Sequence, residues 1–152
     1  MNLDRIPRTF LITWFIFFFV VAACPARGSE QIDHASDLEE QITDRRKAAE
    51  FEEALDLAKK LLELRESLES TKPYELANAQ RLVETIEFIL GLPEQSRQKL
   101  AEADRLEDII DEHWDHDEYE KGATVALEQL AIRRKILGDR HPDVSASLSY
   151  LG

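Results

Sequence analysis

The interval between apolar side chains constrains this chain more than any other feature. Over residues 51–68 they fall at Phe51, Ala54, Leu55, Ala58, Leu61, Leu62 and Leu68, and over 119–137 at Tyr119, Ala123, Ala126, Leu130 and Leu137. Steps of three and four gather such groups on one side of a helix, whereas on a strand they would scatter to both faces. From Asp37 onward the chain shows this helical periodicity and no convincing strand. The spacing therefore predicts an all-α fold of amphipathic helices that bury one stripe each.

Breaks between the helices have their own chemistry. Gly138 supplies a residue that tolerates the left-handed conformation ending a helix, Arg133, Arg134 and Lys135 suit the negative end before it, and Pro142 with Asp143 suits the first turn of the next. Gly91 and Pro93 punctuate the chain again, as does Lys72-Pro73, and Ser36 followed by Glu39 reads as a capping box. These marks predict six helices, near 37–48, 50–70, 74–90, 94–115, 118–137, and from 143 to the end.

The first 24 residues differ in kind. Arg5 and Arg8 precede an apolar run over 10–23, and small residues close it, which is the layout of a secretory signal. The run is about 14 residues, or roughly 21 Å of helix, against a bilayer core of about 30 Å. Cys24, the single cysteine, follows Val21-Ala22-Ala23, and this resembles the lipobox of bacterial lipoproteins, whose cysteine is lipid-modified. A cleaved signal with an incidental cysteine and an uncleaved single-pass anchor are the alternatives. All three put the bulk of the chain outside the cytoplasm, at the cell envelope; the first and last hold it at a membrane through its N-terminus, and the second leaves it secreted or periplasmic. One cysteine forms no intramolecular disulfide. Residues 25–36 read as a flexible tether, leaving about 120 residues, enough for one modest domain over 37–152.

Within that domain the pattern repeats. Phe51-Glu-Glu-Ala54 matches Tyr119-Glu-Lys-Gly122, Leu64-Arg65 matches Ile132-Arg133, and, with one residue of slippage, Pro73, Ala77 and Leu82 match Pro142, Ala146 and Leu151. The stretch from Tyr119 to Leu151, with Ala-Ile-Arg at 131–133 and Leu-Gly-x-x-His-Pro-Asp at 137–143, resembles tetratricopeptide repeats of the kinesin light chain type. The resemblance implies a short α-solenoid of antiparallel helix pairs. Leu106, Ile109 and Ile110 take buried places in it, Tyr119, Gly122, Ala126 and Leu130 take packing places, and Asp117 stands where a turn glycine belongs. The two copies lie 68 or 69 residues apart, so the resemblance makes 83–105 an irregular insertion and the last repeat incomplete.

Function follows from chemistry that is present and chemistry that is not. With 19 basic and 31 acidic residues the formal net charge is -12, which repels nucleic-acid phosphates. Ser145, Ser147 and Ser149 lack any nucleophile setting and read as helix-face residues, and His141-Pro142-Asp143 reads as an interhelical turn. No catalytic constellation and no cofactor motif is present. His113 and His116, among Glu112, Asp115, Asp117 and Glu118, are the candidate metal ligands, although they straddle a helix turn. The tetratricopeptide resemblance implies a peptide-binding groove lined by Gln80, Arg81, Glu107, Asp108, Ser149 and Tyr150; Glu107 and Asp108 there would favour a basic protein segment. Leu148, Tyr150 and Leu151 on a short last helix predict a partner, self-association, or a product truncated from a longer repeat protein. The leading expectation is a non-catalytic scaffold or adaptor. The alternatives are a regulatory or targeting segment of a larger envelope enzyme and a small metal-binding envelope protein.

Overall fold

The structure, a computed structural model, describes residues 26–68 and 71–151, with side chains from residue 33 onward. The signal-like segment and Cys24 lie outside the described residues. The buried residues described run from Ala35 to Ser147.

The described residues form six helices and no strand: α1 (Ala26–Lys47), α2 (Phe51–Ser67), α3 (Pro73–Leu90), α4 (Glu94–Asp115), α5 (Tyr119–Leu137) and α6 (Pro142–Ser149). The all-α class read from the three-and-four spacing is what the chain adopts. Within α2 the stripe Phe51, Ala54, Ala58 and Leu61 is buried, with Leu55 and Leu62 half-buried, as is Leu68 just past the helix end. Lys72 and His141 stand extended before prolines that open α3 and α6, and the Glu75 carboxylate accepts the Lys72 N–H at 2.9 Å. Gly138 closes α5 at φ 83°, the backbone its lack of a side chain permits.

Two expectations are corrected. The helix expected from Asp37 begins at Ala26, so most of the segment read as a tether is helical and Ser36 lies inside α1, not at its cap. The cause is visible in the stripe: buried Ala35 precedes Leu38 and Ile42 by the same steps of three and four. Residues 83–105 form the end of α3, a break at 91–93 and the first half of α4, in keeping with the helices expected at 74–90 and 94–115. Ile109 and Tyr119, placed among packing positions, are 41% and 59% exposed, whereas Ile110, Gly122, Ala126 and Leu130 are buried.

The two halves share a turn. Between α1 and α2, Ala49 has φ 64°; its N–H meets the Arg46 carbonyl at 3.0 Å, and the Glu50 N–H meets the Arg45 carbonyl at 2.9 Å. Between α4 and α5, Asp117 has φ 60°, with the Asp117 and Glu118 N–H groups on the Trp114 and His113 carbonyls at 3.0 and 2.8 Å. This is one Schellman motif written twice, and it satisfies carbonyls that the helix end would orphan. Burial recurs at the same 68-residue offset: Ala35 and Ala103, Ile42 and Ile110, Ala54 and Gly122, Ala58 and Ala126, Ala79 and Ser147. Gly122 is required by a close approach, since a Cβ there would lie 2.5 Å from the Trp114 ring.

Packing follows the helix pairs. α2 packs on α3, α4 on α5, and α5 on α6. One apolar cluster joins α1, α2 and α3 to Leu100 and Ala101 of α4, with Ile136 and Leu137 of α5 against it. The halves are thereby welded along α4 and the end of α5.

A left-handed alanine costs about 1 kcal/mol that glycine does not incur. Ala49→Gly is therefore expected to raise stability by about 0.5–1 kcal/mol in urea unfolding, whereas Ala54→Gly, inside α2 and buried, is expected to lower it by at least that much.

Candidate functional site

Where α1, α4, α5 and α6 meet, the interior is ionic. Arg133 of α5 is buried, its side chain 5% exposed. One of its Nη groups donates to Asp104 of α4 at 2.8 Å and to Glu107 at 3.4 Å, and the other to Ser147 of α6 at 2.9 Å. Asp104 also takes two bonds from Arg46 of α1, at 3.0 and 3.3 Å, and Arg46 reaches Asp143 of α6 at 2.8 Å. Ser147 donates to Gln129, also buried, whose amide donates to the Ala103 carbonyl at 3.0 Å. Arg133, Asp104, Arg46 and Asp143 thus alternate in charge along a chain in which Asp104 and Arg46 are each held from two sides.

The network sets its own protonation. Burial works against the charge of Arg46, but Asp104 and Asp143 outweigh it and raise the pKa. Burial likewise pushes Asp143 up, and Arg46 with Arg133 overcomes it, so that carboxyl is held below its usual range. Burial lowers the His141 pKa; Asp143 opposes this and the two arginines add to it. A neutral ring suits the site, because His141 Nδ1 accepts the Asp143 N–H at 3.2 Å and caps α6.

The first half carries a weaker copy. Arg65, the counterpart of Arg133, reaches Glu39 of α1 at 3.1 Å and Glu75 of α3 at 3.7 Å. Adding 68 to each number gives Glu107 and Asp143, the same positions in the second half. Glu39 is 54% exposed, so the first clamp is solvated where the second is sealed.

Three clefts adjoin this polar centre. Glu39, Glu40, Asp44, Lys47 and Asp108 line one of about 560 Å³ between α1 and α4. Thr43 joins it to a smaller one of about 220 Å³ above Arg46, Asp104 and Arg133. Glu39 and Asp143 open into a third of about 520 Å³, bounded by Tyr74, Asn78 and Arg81 of α3. Burial raises the Asp111 pKa, and the neighbouring charges of Glu107, Asp108 and Asp115 raise it further. The α4 face is crowded with carboxylates.

The groove candidates divide accordingly. Glu107 and Tyr150 come together, the phenol donating to the carboxylate at 2.8 Å, and burial with that bond raises the tyrosine pKa. Asp108 meets Lys47 across the cleft at 2.5 Å. Arg81 lines the third cleft, bonded to Asn78 at 3.2 Å, while Gln80 is exposed on α3 and lines none of these three. Ser149 is exposed and bonds only to the Ala146 carbonyl in its own helix. Of the histidines, His113 pairs with Glu118 at 2.8 Å and His116 Nδ1 with the Glu112 carbonyl at 2.7 Å. Among the described residues no three potential ligands gather in a way that could hold a metal ion.

Sequence reasoning missed the centre. Ser147, read as a helix-face residue, is fully buried, and Arg133, read as a helix-end charge, is a core residue. One signal was available: Ala126, Leu130, Arg133 and Leu137 step by four, three and four, which puts a guanidinium on the buried stripe and demands acids opposite.

No protein-family model, curated protein or solved structure matches this chain. Among the described residues, no helix is long and apolar enough to cross a membrane.

Two outcomes follow from the network. Arg133→Ala leaves Asp104 buried against a single partner and is expected to cost about 3–5 kcal/mol in chemical denaturation, while Arg65→Ala costs about 1 kcal/mol or less. His141 has a depressed pKa when folded, so the unfolded chain binds more protons just below about pH 6.5, and stability falls as pH falls through that window. His141→Asn keeps a capping oxygen without the titration, and its urea midpoint should fall less steeply than that of the native chain between about pH 6.5 and 5.5.

Proposed function

We propose that this chain is a non-catalytic interaction module, built from tetratricopeptide-like helix pairs, that holds a basic segment of a partner protein in the cleft between α1 and α4. The observation that carries the reading is the composition of that cleft: Glu39, Glu40, Asp44 and Asp108 line it, and Lys47 is the one base among its lining residues. Glu40 and Asp44 stand exposed on α1, and Asp111 and Asp115 extend the acidic stripe along α4. A lysine- or arginine-bearing segment gains charge-assisted bonds there, and the net charge of -12 steers it inward.

The repeated Schellman turns and the repeated arginine clamp place equivalent contacts 68 residues apart, which supports a module of two similar halves, and the tetratricopeptide reading rests on the resemblance of Tyr119 to Leu151. The buried ionic centre supports a scaffold role: its arginines and acids bind one another and hold four helices in register, while Asp108 and Glu39 are paired with Lys47 and Arg65, and Glu40 and Asp44 are the cleft carboxylates left for a ligand. The signal-like residues 1–24 support export, and Cys24, in its lipobox-like setting, supports tethering of the module at a membrane of the cell envelope.

Binding of a fluorescently labelled lysine- and arginine-rich peptide, read by anisotropy, tests the reading. The native chain should bind it and ignore an acidic peptide of equal length. Glu40→Lys with Asp44→Lys should weaken binding by about tenfold or more, and added salt should weaken the native complex. Binding that survives both changes, or none to the native chain, removes the proposal.

A further inference from the structure

The outward face of α5 is unlike that of its counterpart α2. At the position where α2 carries Lys59, 50% exposed and paired with Glu87 at 3.3 Å, α5 carries Leu127, 56% exposed. Glu63 and Glu66 of α2 correspond to Ala131 and Arg134 of α5, both exposed. Solvated charge in one half has become an apolar centre with basic residues beside it in the other, and a shallow groove bounded by Leu127, Ala131, Arg134 and Lys135 runs along it.

The face has a further property. Counting about 100° per residue, Tyr119, Ala123, Arg134, Leu127, Glu120, Ala131, Thr124 and Lys135 fall within an arc of about 160° whose middle is Leu127. Leu127 is also the middle in sequence: Glu120 stands seven residues before it and Arg134 seven after, Ala123 four before and Ala131 four after, Tyr119 eight before and Lys135 eight after. When two such helices pack antiparallel about a two-fold axis beside Leu127, every position comes level with its mirror position in the other copy. Leucine then meets leucine, Glu120 and Arg134, each within about 20° of Leu127 around the helix, come within reach of one another, the alanines flank the leucines, and Tyr119 and Lys135, about 80° out on opposite sides, stand at opposite margins of the contact. At the edge of the arc Leu130, buried against its own chain, lies level with Thr124.

We propose that α5 is a self-association surface, on which a second copy of this chain docks isologously, α5 antiparallel to α5, with the two-fold axis beside Leu127. The occupant is a second copy because the complementarity is internal: one helix carries both the acid and the base, at equal distances before and after the apolar centre and each within about 20° of it around the helix. Arg134 reaches Asp139 of its own chain at 2.9 Å, with both side chains largely exposed, so that pair is free to exchange for Glu120 of the other copy. The face lies on α5, away from the α1 and α4 cleft, and the inference does not depend on what that cleft binds.

The full chain, kept in one mild detergent throughout, is the material for the test. Sedimentation equilibrium should show a dimer that Leu127→Arg weakens by about tenfold or more. Glu120→Arg and Arg134→Glu should each weaken it, and the two together should restore it, with circular dichroism confirming unchanged helix content. In a Cys24→Ser background, Leu127→Cys should form a disulfide-linked dimer under mild oxidation, and Lys59→Cys, its counterpart on α2, should not. A monomeric native chain, an association indifferent to Leu127→Arg, or equal cross-linking from positions 59 and 127 would overturn the proposal.

Discussion

The pairing of Arg133 with Asp104 is the contact on which the second half of the molecule depends. Both side chains are removed from water, and neither ion is tolerable there alone. Asp104 is neutralised from two sides, by Arg133 of α5 and Arg46 of α1, and Arg46 is in turn held by Asp143 at the start of α6. Four helices distant in sequence are thus fixed by groups that have no other acceptable arrangement. An apolar core of equal volume could have been as stable, but it would not have dictated the register of α1 against α4 and α6 so sharply.

That centre also accounts for how the two halves came to differ. The arginine clamp of the first half spans Glu39 and Glu75 near the surface, and the core beneath it is made of leucine, isoleucine and phenylalanine. In the second half Gln129 takes the place of Leu61, and Ser147 that of Ala79, and the clamp moves inward to satisfy them. Polar groups entered this core as a set, since each is the hydrogen-bond partner of the next. Phe51, 1% exposed, and Tyr119, 59% exposed, show the same divergence at the entrance to the helix: the hydroxyl bonds Asp117 at 2.6 Å and the ring rests edge-on against Trp114.

Division of labour is the result. Buried ions order the helices, exposed acids of α1 and α4 line a cleft, and α5 turns an apolar and basic face outward. Lys135 at the α5 face has no ion-pair partner among the described residues, while its neighbour Arg134 is paired with Asp139.

The sequence by itself determined the helices, because amphipathic periodicity and breaker residues are local: five of the six elements begin within a residue or so of the positions expected from Gly, Pro and the stripe. The resemblance placed Asp117 where a turn glycine belongs, and its φ of 60° suits that place. The early start of α1 was legible only in part, since Ala35 is too small to mark a stripe until Leu38 and Ile42 are seen to bury it. Of the groove candidates, Glu107 and Tyr150 come together, while Asp108 lines the α1 and α4 cleft, Arg81 the third cleft and Gln80 and Ser149 none of the three, because direction around a helix depends on which neighbour covers it. Tertiary structure alone decided that Ser147 is interior, which acids meet the Arg133 that the stripe marks, that Arg46 crosses to Asp104 and Asp143, and that Tyr119 and Ile109 face outward. A charge looks the same in sequence whether water or a carboxylate solvates it, and only the packing of helices 58 to 97 residues apart brings the carboxylate within reach.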